Sequence, residues 1–248
     1  MLTTFPFSLF NQPAEGGNDL GIIDTDLYIL YEYGNTNCYP GSGTAVTDLQ
    51  GNFDMTLFNG VGYSSDDSGK LVFDGNNDYG NIDSGFMTGL TNATITAWFY
   101  YENNGRWTRV WDFGTGSQNY LFLTPRNGQS YGGQYNIDTL RVGYRYNNGS
   151  ETLVNMSSQL TDNAWHEVTV TLSGTTMTMY HNGTSIGSTT NANTVAAFGT
   201  TSNNYIGKAQ FPDPYFQGDQ GLFFVYNACL SATDVSDNFD AVKGRYGL

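Results

Sequence analysis

From residue 22 onward, apolar and polar residues alternate with a period of two, in short runs set about ten residues apart. The clearest run is 93–101, where Ile95, Ala97 and Phe99 fall on one side and Thr94, Thr96, Trp98 and Tyr100 on the other. In 22–34, Leu27, Ile29 and Tyr31 share a face. Runs at 70–75, 107–114, 119–125, 139–146, 151–157, 165–174, 176–183, 204–209 and 221–227 complete the strands. Asn-Gly stands at 104–105, 127–128, 148–149 and 182–183. This pair suits a tight hairpin, whose two centre residues both need positive φ. About a dozen antiparallel strands in one domain predict two stacked sheets. The pattern turns helical once, over 231–244, where Ser231 and Asp234 are spaced as a capping box and Gly244 offers a stop. Residues 1–20 differ: Phe5, Phe7, Leu9 and Phe10 are interleaved with Pro6, Pro13, Gly16 and Gly17. The expected organisation is an N-terminal arm over 1–20 and one domain over 21–248. Phe5, Phe7 and Phe10 form the arm's apolar side, suited to docking on a neighbouring subunit.

Composition supports the all-β reading. Aromatics are 15% of the 248 residues and Gly numbers 31, while charged residues are only 13%. That excludes coiled coils and helical bundles, and the aromatic content excludes an ordinary disordered chain. The balance of 9 basic against 23 acidic residues gives a net charge of −14. Nucleic acid and anionic membrane surfaces both repel such a chain, so neither is an expected partner. No apolar stretch is long enough to span a bilayer, and the first residues lack the basic and apolar regions of an export leader. Cys38 and Cys229 make neither a disulfide framework nor a zinc site. They either pair with each other or serve as small apolar residues.

No catalytic set is expected. Glycoside hydrolysis needs two facing carboxyls. The five glutamates, Glu15, Glu32, Glu102, Glu151 and Glu167, are isolated, and Asp24 and Asp26 are the one early i, i+2 pair. His166 and His181 read as structural, His166 bonding a turn backbone. Neither neighbours a nucleophile elbow, and the GSG at 41–43 precedes a loop rather than a helix. Carbohydrate binding fits better, because sugars stack on aromatic rings and bond planar polar groups. Trp107, Arg109 and Trp111 alternate on one predicted strand, and Tyr144, Arg145 and Tyr146 lie on another, with Asn103, Asn104 and Gln118 in adjacent turns. The candidate carbohydrate-binding residues are Trp107, Arg109, Tyr144 and Tyr146; the competing reading puts Trp111 in the core and Trp107 on the rim. Asp-rich turns at 66–69, 73–78 and 211–219 could supply oxygens to Ca2+, with Asp74 and Asp219 the candidate ligands. Alternatively, these aspartates simply keep a Tyr-rich surface soluble.

Several blocks, in order, carry a family resemblance. EYGNTNCYPGSGTAVTDLQGN (32–52), TLFNGVGYSSDDSGKLVFDGNNDYGNID (56–83), AWHEVTVTLSGTTMTMYHNG (164–183) and FQGDQGLFFVYNACLSATDV (216–235) resemble laminin-G-like, concanavalin A-like jelly-roll domains of bacterial and bacteriophage proteins. NFDAVKGRYGL (238–248) is similar to the tail of such domains in tailed phages. The resemblance spans about residues 22–248. It implies a two-sheet antiparallel jelly-roll sandwich with one short C-terminal helix. Four positions depart from the family pattern: Glu32 stands for Asp, Val46 for Trp, Ala228 for Arg, and Gly221 for an acidic or polar residue. In metal-binding relatives the strand of Gly221 supplies a Ca2+ carboxylate, so here Asp219 would have to substitute. The implied role is a non-enzymatic virion structural protein: a capsid decoration, neck or tail-fibre component. It would be assembled on a particle with other virion proteins and would meet host-surface glycans. The alternative is a secreted bacterial carbohydrate-binding module or carbohydrate-active enzyme.

Overall fold

A computed structural model of the chain describes residues 18–128, 138–191 and 193–248. The strands in its first half are β1 (Leu27–Glu32), β2 (Ala45–Val46), β3 (Met55–Phe58), β4 (Gly62–Ser64), β5 (Lys70–Asp74), β6 (Tyr79–Ile82), β7 (Asn92–Tyr101), β8 (Trp111–Gly116) and β9 (Asn119–Thr124). They are followed by β10 (Arg141–Arg145), β11 (Thr152–Asn155), β12 (Ala164–Ser173), β13 (Thr176–His181), β14 (Thr184–Thr190), β15 (Asn203–Ile206), β16 (Gln217–Tyr226) and the helix α1 (Ala232–Val242). The fold is all-β, two antiparallel sheets stacked as a sandwich with one short C-terminal helix.

Sheet A runs β14-β13-β12-β7-β16, and β16 splits its far edge: Gln217–Gln220 pair with β5, which pairs with β4, while Leu222–Tyr226 pair with β1. Sheet B runs β11-β10-β9-β8-β15-β6-β3-β2. Between the sheets lies the main core, which includes Tyr31, Phe73, Phe99, Trp111, Phe113, Leu121, Val142, Val170 and Phe223. The expected alternation of β7 is present, but its polar-looking side is not wet. Ile95, Ala97 and Phe99 enter the main core, and Trp98 enters a second core under α1 with Trp165, Tyr180, Phe224 and Tyr246. In β1 the register shifts between Leu27 and Ile29, so Leu27 joins the second core while Ile29 and Tyr31 stay in the first. Such a bulge re-aims a side chain without breaking the strand.

The helix begins as expected: Ser231 Oγ accepts from the Asp234 amide and Asp234 Oδ2 from the Ser231 amide. It does not stop at Gly244. A 3-10 turn over Lys243–Tyr246 follows, and Gly247 takes the left-handed conformation. Asn182 and Gly183 have φ of 49° and 72° and join β13 to β14 in the expected hairpin. Asn104-Gly105, by contrast, lies on the crossover from β7 in sheet A to β8 in sheet B, so no hairpin forms there. At 148–149, positive φ falls on Asn147 and Asn148 instead.

Leu20 and Ile22 are buried in the second core, so packing begins inside the segment expected as an arm. Phe5, Phe7 and Phe10 lie outside the described residues. Cys38 is buried, Cys229 is exposed, and neither is disulfide-bonded. Among the described residues no helix is long and apolar enough to cross a membrane.

Candidate carbohydrate-binding face

The period of two decides which side chains leave the core. On β9 and β10, Leu121, Leu123, Val142 and Tyr144 point inward. Tyr120, Phe122, Arg141 and Arg145 therefore share the outer face of sheet B, with Arg145 opposite Tyr120 and Gly143 opposite Phe122. Gly143 is required there: a Cβ would lie 2.6 Å from the Phe122 ring, which spreads across it. The Arg109 guanidinium stacks on Phe122 at 4.2 Å. It is anchored by Asp213 at 3.0 Å and Asp112 at 3.4 Å, and is only 2% exposed. Burial pushes the Asp112 carboxyl up to about 6, against the pull of Arg109 and of the Gln210 hydrogen bonds.

Trp107 stands at the edge of this layer. Its backbone is left-handed (φ 65°), and its amide donates to the Arg126 carbonyl at 2.8 Å. The guanidinium carbons of Arg109 and Arg141 each lie 5.5 Å from the indole. Gly128 (φ 65°) leaves room for the ring, since a Cβ there would come 2.8 Å from its Nε1. Arg141 donates to Asn155 Oδ1 at 2.8 Å and reaches Glu151 Oε1 at 3.4 Å, while Glu151 Oε2 accepts from the Tyr120 hydroxyl at 2.8 Å. Arg145 donates to the carbonyls of Gly149 (2.8 Å), Asn148 (3.3 Å) and Ser117 (3.4 Å). Trp107, Tyr120, Arg141, Arg145, Glu151 and the 148–150 turn line an open cleft of about 660 Å3. Burial and the Glu151 carboxylate hold the Tyr120 phenol well above its usual range, so it stays a neutral donor. The cleft thus offers a half-buried indole edge, the Arg145 guanidinium and the Glu151 carboxylate, over a buried Tyr120 phenol and Arg141 guanidinium.

Of the four expected binding residues, Trp107 lines the cleft and Arg109 braces it from behind. Tyr144 does not reach it: it faces the core and stacks on Phe198 at 5.3 Å. Tyr146 follows it onto Phe198 at 6.5 Å, since i and i+2 share a face. The expected strand over 107–114 begins only at Trp111, and Trp111 is core, stacked on Phe113 at 4.9 Å. In the neighbouring turns, Asn103 bonds Asp162 and Asn104 bonds the Tyr215 carbonyl. Tyr120, Arg141 and Glu151 were not expected. Parity could have found Arg141, a charged residue one step from the apolar Val142.

Asp74 and Asp219 are both already engaged. Asp74 closes its own turn by accepting from the Asn76 amide at 2.8 Å and side chain at 3.0 Å, which holds its carboxyl below the usual value. Asp219 is paired with Lys70 at 2.9 Å. Among the described residues no group of three or more His, Cys, Asp or Glu is placed to hold a metal. His166 bonds the Thr161 carbonyl at 2.9 Å, and its other nitrogen lies 3.0 Å from His181 Nε2.

The sequence profile described as the concanavalin A-like lectin/glucanases superfamily matches residues 74–236. The chain belongs to that superfamily. Its concanavalin A-like fold is shared with domain 4 of AbnA, an extracellular arabinanase from Geobacillus stearothermophilus solved in complex with arabinotriose. That match has 18% identity and a TM-score of 0.66, covering 86% of this chain and 98% of that one. A botulinum neurotoxin serotype D/C binding domain has 13% identity and a TM-score of 0.66, over 88% of this chain but 52% of its own. Trypanosoma rangeli sialidase has 14% identity and a TM-score of 0.62, over 88% of this chain and 33% of its own. The concanavalin A-like chain thus spans about half of the toxin domain and a third of the sialidase. No curated protein matches it in sequence.

Proposed function

We propose that the chain is a non-catalytic glycan-binding module and that it works on a virion, as a capsid decoration, neck or tail-fibre component that meets host-surface glycans. The observation that carries the binding role is the cleft of Trp107, Tyr120, Arg141, Arg145 and Glu151 on the outer face of sheet B. An aromatic edge takes the apolar face of a sugar, and planar guanidinium and carboxylate groups bond its hydroxyls. Retaining hydrolysis needs a second carboxyl about 5–5.5 Å away and inversion one about 6.5–9.5 Å away. Glu151 is the one carboxylate among the residues lining this cleft, and Tyr120 and Arg141 already hold it. That favours binding over turnover. The virion setting rests on the phage-like sequence blocks, with Phe5, Phe7 and Phe10 docking on neighbouring subunits.

The binding role is tested by glycan-array screening followed by calorimetry on a hit. Trp107→Ala should weaken binding at least tenfold while circular dichroism stays that of the parent. Unchanged affinity would sink the assignment of this cleft. The setting is tested by a mass-spectrometric inventory of purified virions. Because Leu20 is buried, the informative truncation removes residues 1–17. It should leave a folded protein that no longer joins its particle. A second reading, a secreted bacterial carbohydrate-binding module, is favoured by the near-complete overlap with the arabinanase domain. Finding the chain in a bacterial secretome, and in no virion, would select it.

A further inference from the structure

Seven of the nine Lys and Arg side chains lie within 3.4 Å of a carboxylate: Lys70, Arg106, Arg109, Arg126, Arg141, Lys243 and Arg245. That is unsurprising where acids outnumber bases 23 to 9. Arg145 and Lys208 are the exceptions among the described residues, and both lie on the outer face of sheet B. Arg145 lines the cleft and is bonded to backbone carbonyls and to the Tyr120 phenol, with no carboxylate in contact. Lys208 follows β15, with its ammonium 4.1 Å from the centre of the Tyr79 ring and 4.6 Å from that of Tyr205. Tyr79 stacks in turn on Phe58 at 4.6 Å, and Phe58 is 37% exposed. The segment after Lys208 joins the two places: Gln210 bonds Asp112 on β8, and Phe211 packs edge-on to Tyr120 at 5.6 Å.

We infer that this face takes an acidic polysaccharide, one bearing carboxylate or sulfate groups, with Arg145 and Lys208 as its charge partners and the partly exposed rings of Phe58, Phe211 and Trp107 as its stacking surface. The inference rests on the glycan-binding reading above and names its ligand class. From β10 to β15 is three strand spacings, about 14 Å, so the ligand is an oligomer long enough to meet both cations. A net charge of −14 repels polyanions from the molecule as a whole. Any preference for an acidic glycan is therefore local, and these are the cations free of a carboxylate.

The test is calorimetry of the full chain against an oligouronide, its carboxyl-reduced neutral counterpart and a sulfated oligosaccharide of equal length. The acidic glycans should bind at least tenfold more tightly than the reduced one, and the two acidic arms show whether carboxylate or sulfate is preferred. Lys208→Gln and Arg145→Gln should each weaken oligouronide binding at least fivefold, and Lys208→Arg should keep most of it. Arg145 also braces the 148–149 turn, so Lys208→Gln, which removes ring contacts at the surface, is the cleaner variant. Equal affinity for native and reduced oligouronide overturns the acidic-ligand inference and leaves the glycan site standing. Binding of none of the three overturns the acidic-ligand inference, while the glycan array still decides the site itself. An acid preference unchanged in both Gln variants overturns the assignment of these residues.

Discussion

Gly221 is where the two halves of β16 change partners, from β5 to β1, and the register with β7 shifts there between Gln220 and Leu222. Its missing side chain is filled from above, because a methyl group there would run into the Tyr246 phenol. Tyr246 has little room to yield, held 4.4 Å from Trp165 and 4.9 Å from Trp98. The departure from the family pattern at 221 is therefore matched by the C-terminal tyrosine. Gly221→Ala should cost about 1–3 kcal/mol, the usual range for overpacking, measured by denaturant unfolding. An unchanged midpoint would show that the tail is not seated on β16. Glu167 gives a pH-dependent case. It is buried opposite Trp98 and accepts from the Thr169 hydroxyl and from the Gly183 amide at 3.0 Å. Burial pushes its carboxyl up to about 7 despite these bonds. The native state thus holds this proton more tightly than the unfolded chain, and Glu167's contribution to stability falls as pH rises from about 4.5 to about 7. Glutamine removes that penalty. It can accept from Gly183 and donate to Thr169, whose hydroxyl lies 2.6 Å from that of Thr96. Glu167→Gln should melt above the parent at pH 8, with the gap closing by pH 5; a constant gap would show that Glu167 does not titrate there. His181 acts with the opposite sign. Burial and His166 lower it to about 4, so its contribution is lost as pH falls from about 6.5 toward 4.

At the scale of the element, α1 does more than end the chain. Its Phe239 lies parallel to Trp98 at 5.6 Å, and its Asn238 accepts from the Ile23 amide at 2.9 Å and donates to the Tyr226 hydroxyl at 3.0 Å. The helix therefore covers the outer face of sheet A, and its start is worth testing directly. Ser231→Ala removes one half of the capping box and should cost about 1 kcal/mol. If thermal unfolding shows no loss, the helix is held by its packed face alone. The same roof explains which strands the sequence announces. The alternation in 93–101 and 165–174 is clear, but it sorts residues between two cores rather than between core and water. That distinction depends on a helix far along the chain and leaves no local mark. β2, β4 and β14 carry too few residues or too polar a run, TSIGSTT in β14, to announce a strand. They form because neighbouring strands offer unpaired backbone.

At the scale of the molecule, the sandwich follows from period and turn chemistry, while the cleft is only half readable. Trp107 is conspicuous, but its left-handed backbone breaks the strand that would have carried its face forward to Arg109 and Trp111. Arg141, Tyr120 and Glu151 meet only because β9, β10 and the turn before β11 pair in this order, a long-range fact that local pattern does not hold. Charge is the property most plainly written in the composition, and it makes a prediction of its own. Folding gathers a net −14 from a coil of about 55 Å radius of gyration into a body of about 18 Å. At about 0.01 M ionic strength the Debye length of about 30 Å exceeds that body, so the excess carboxylates repel across the whole fold. At about 0.15 M the length is about 8 Å, and only near neighbours still interact. Salt also weakens ion pairs, but Arg109, Arg126 and Arg141 are nearly buried, where screening is least. Relief of repulsion should win. Raising NaCl from about 0.01 to 0.15 M should add on the order of 1 kcal/mol, about 2–4 °C in the melting temperature. A melting temperature that falls over the same range would mean that the paired cations, rather than the unpaired acids, dominate the electrostatics of this chain.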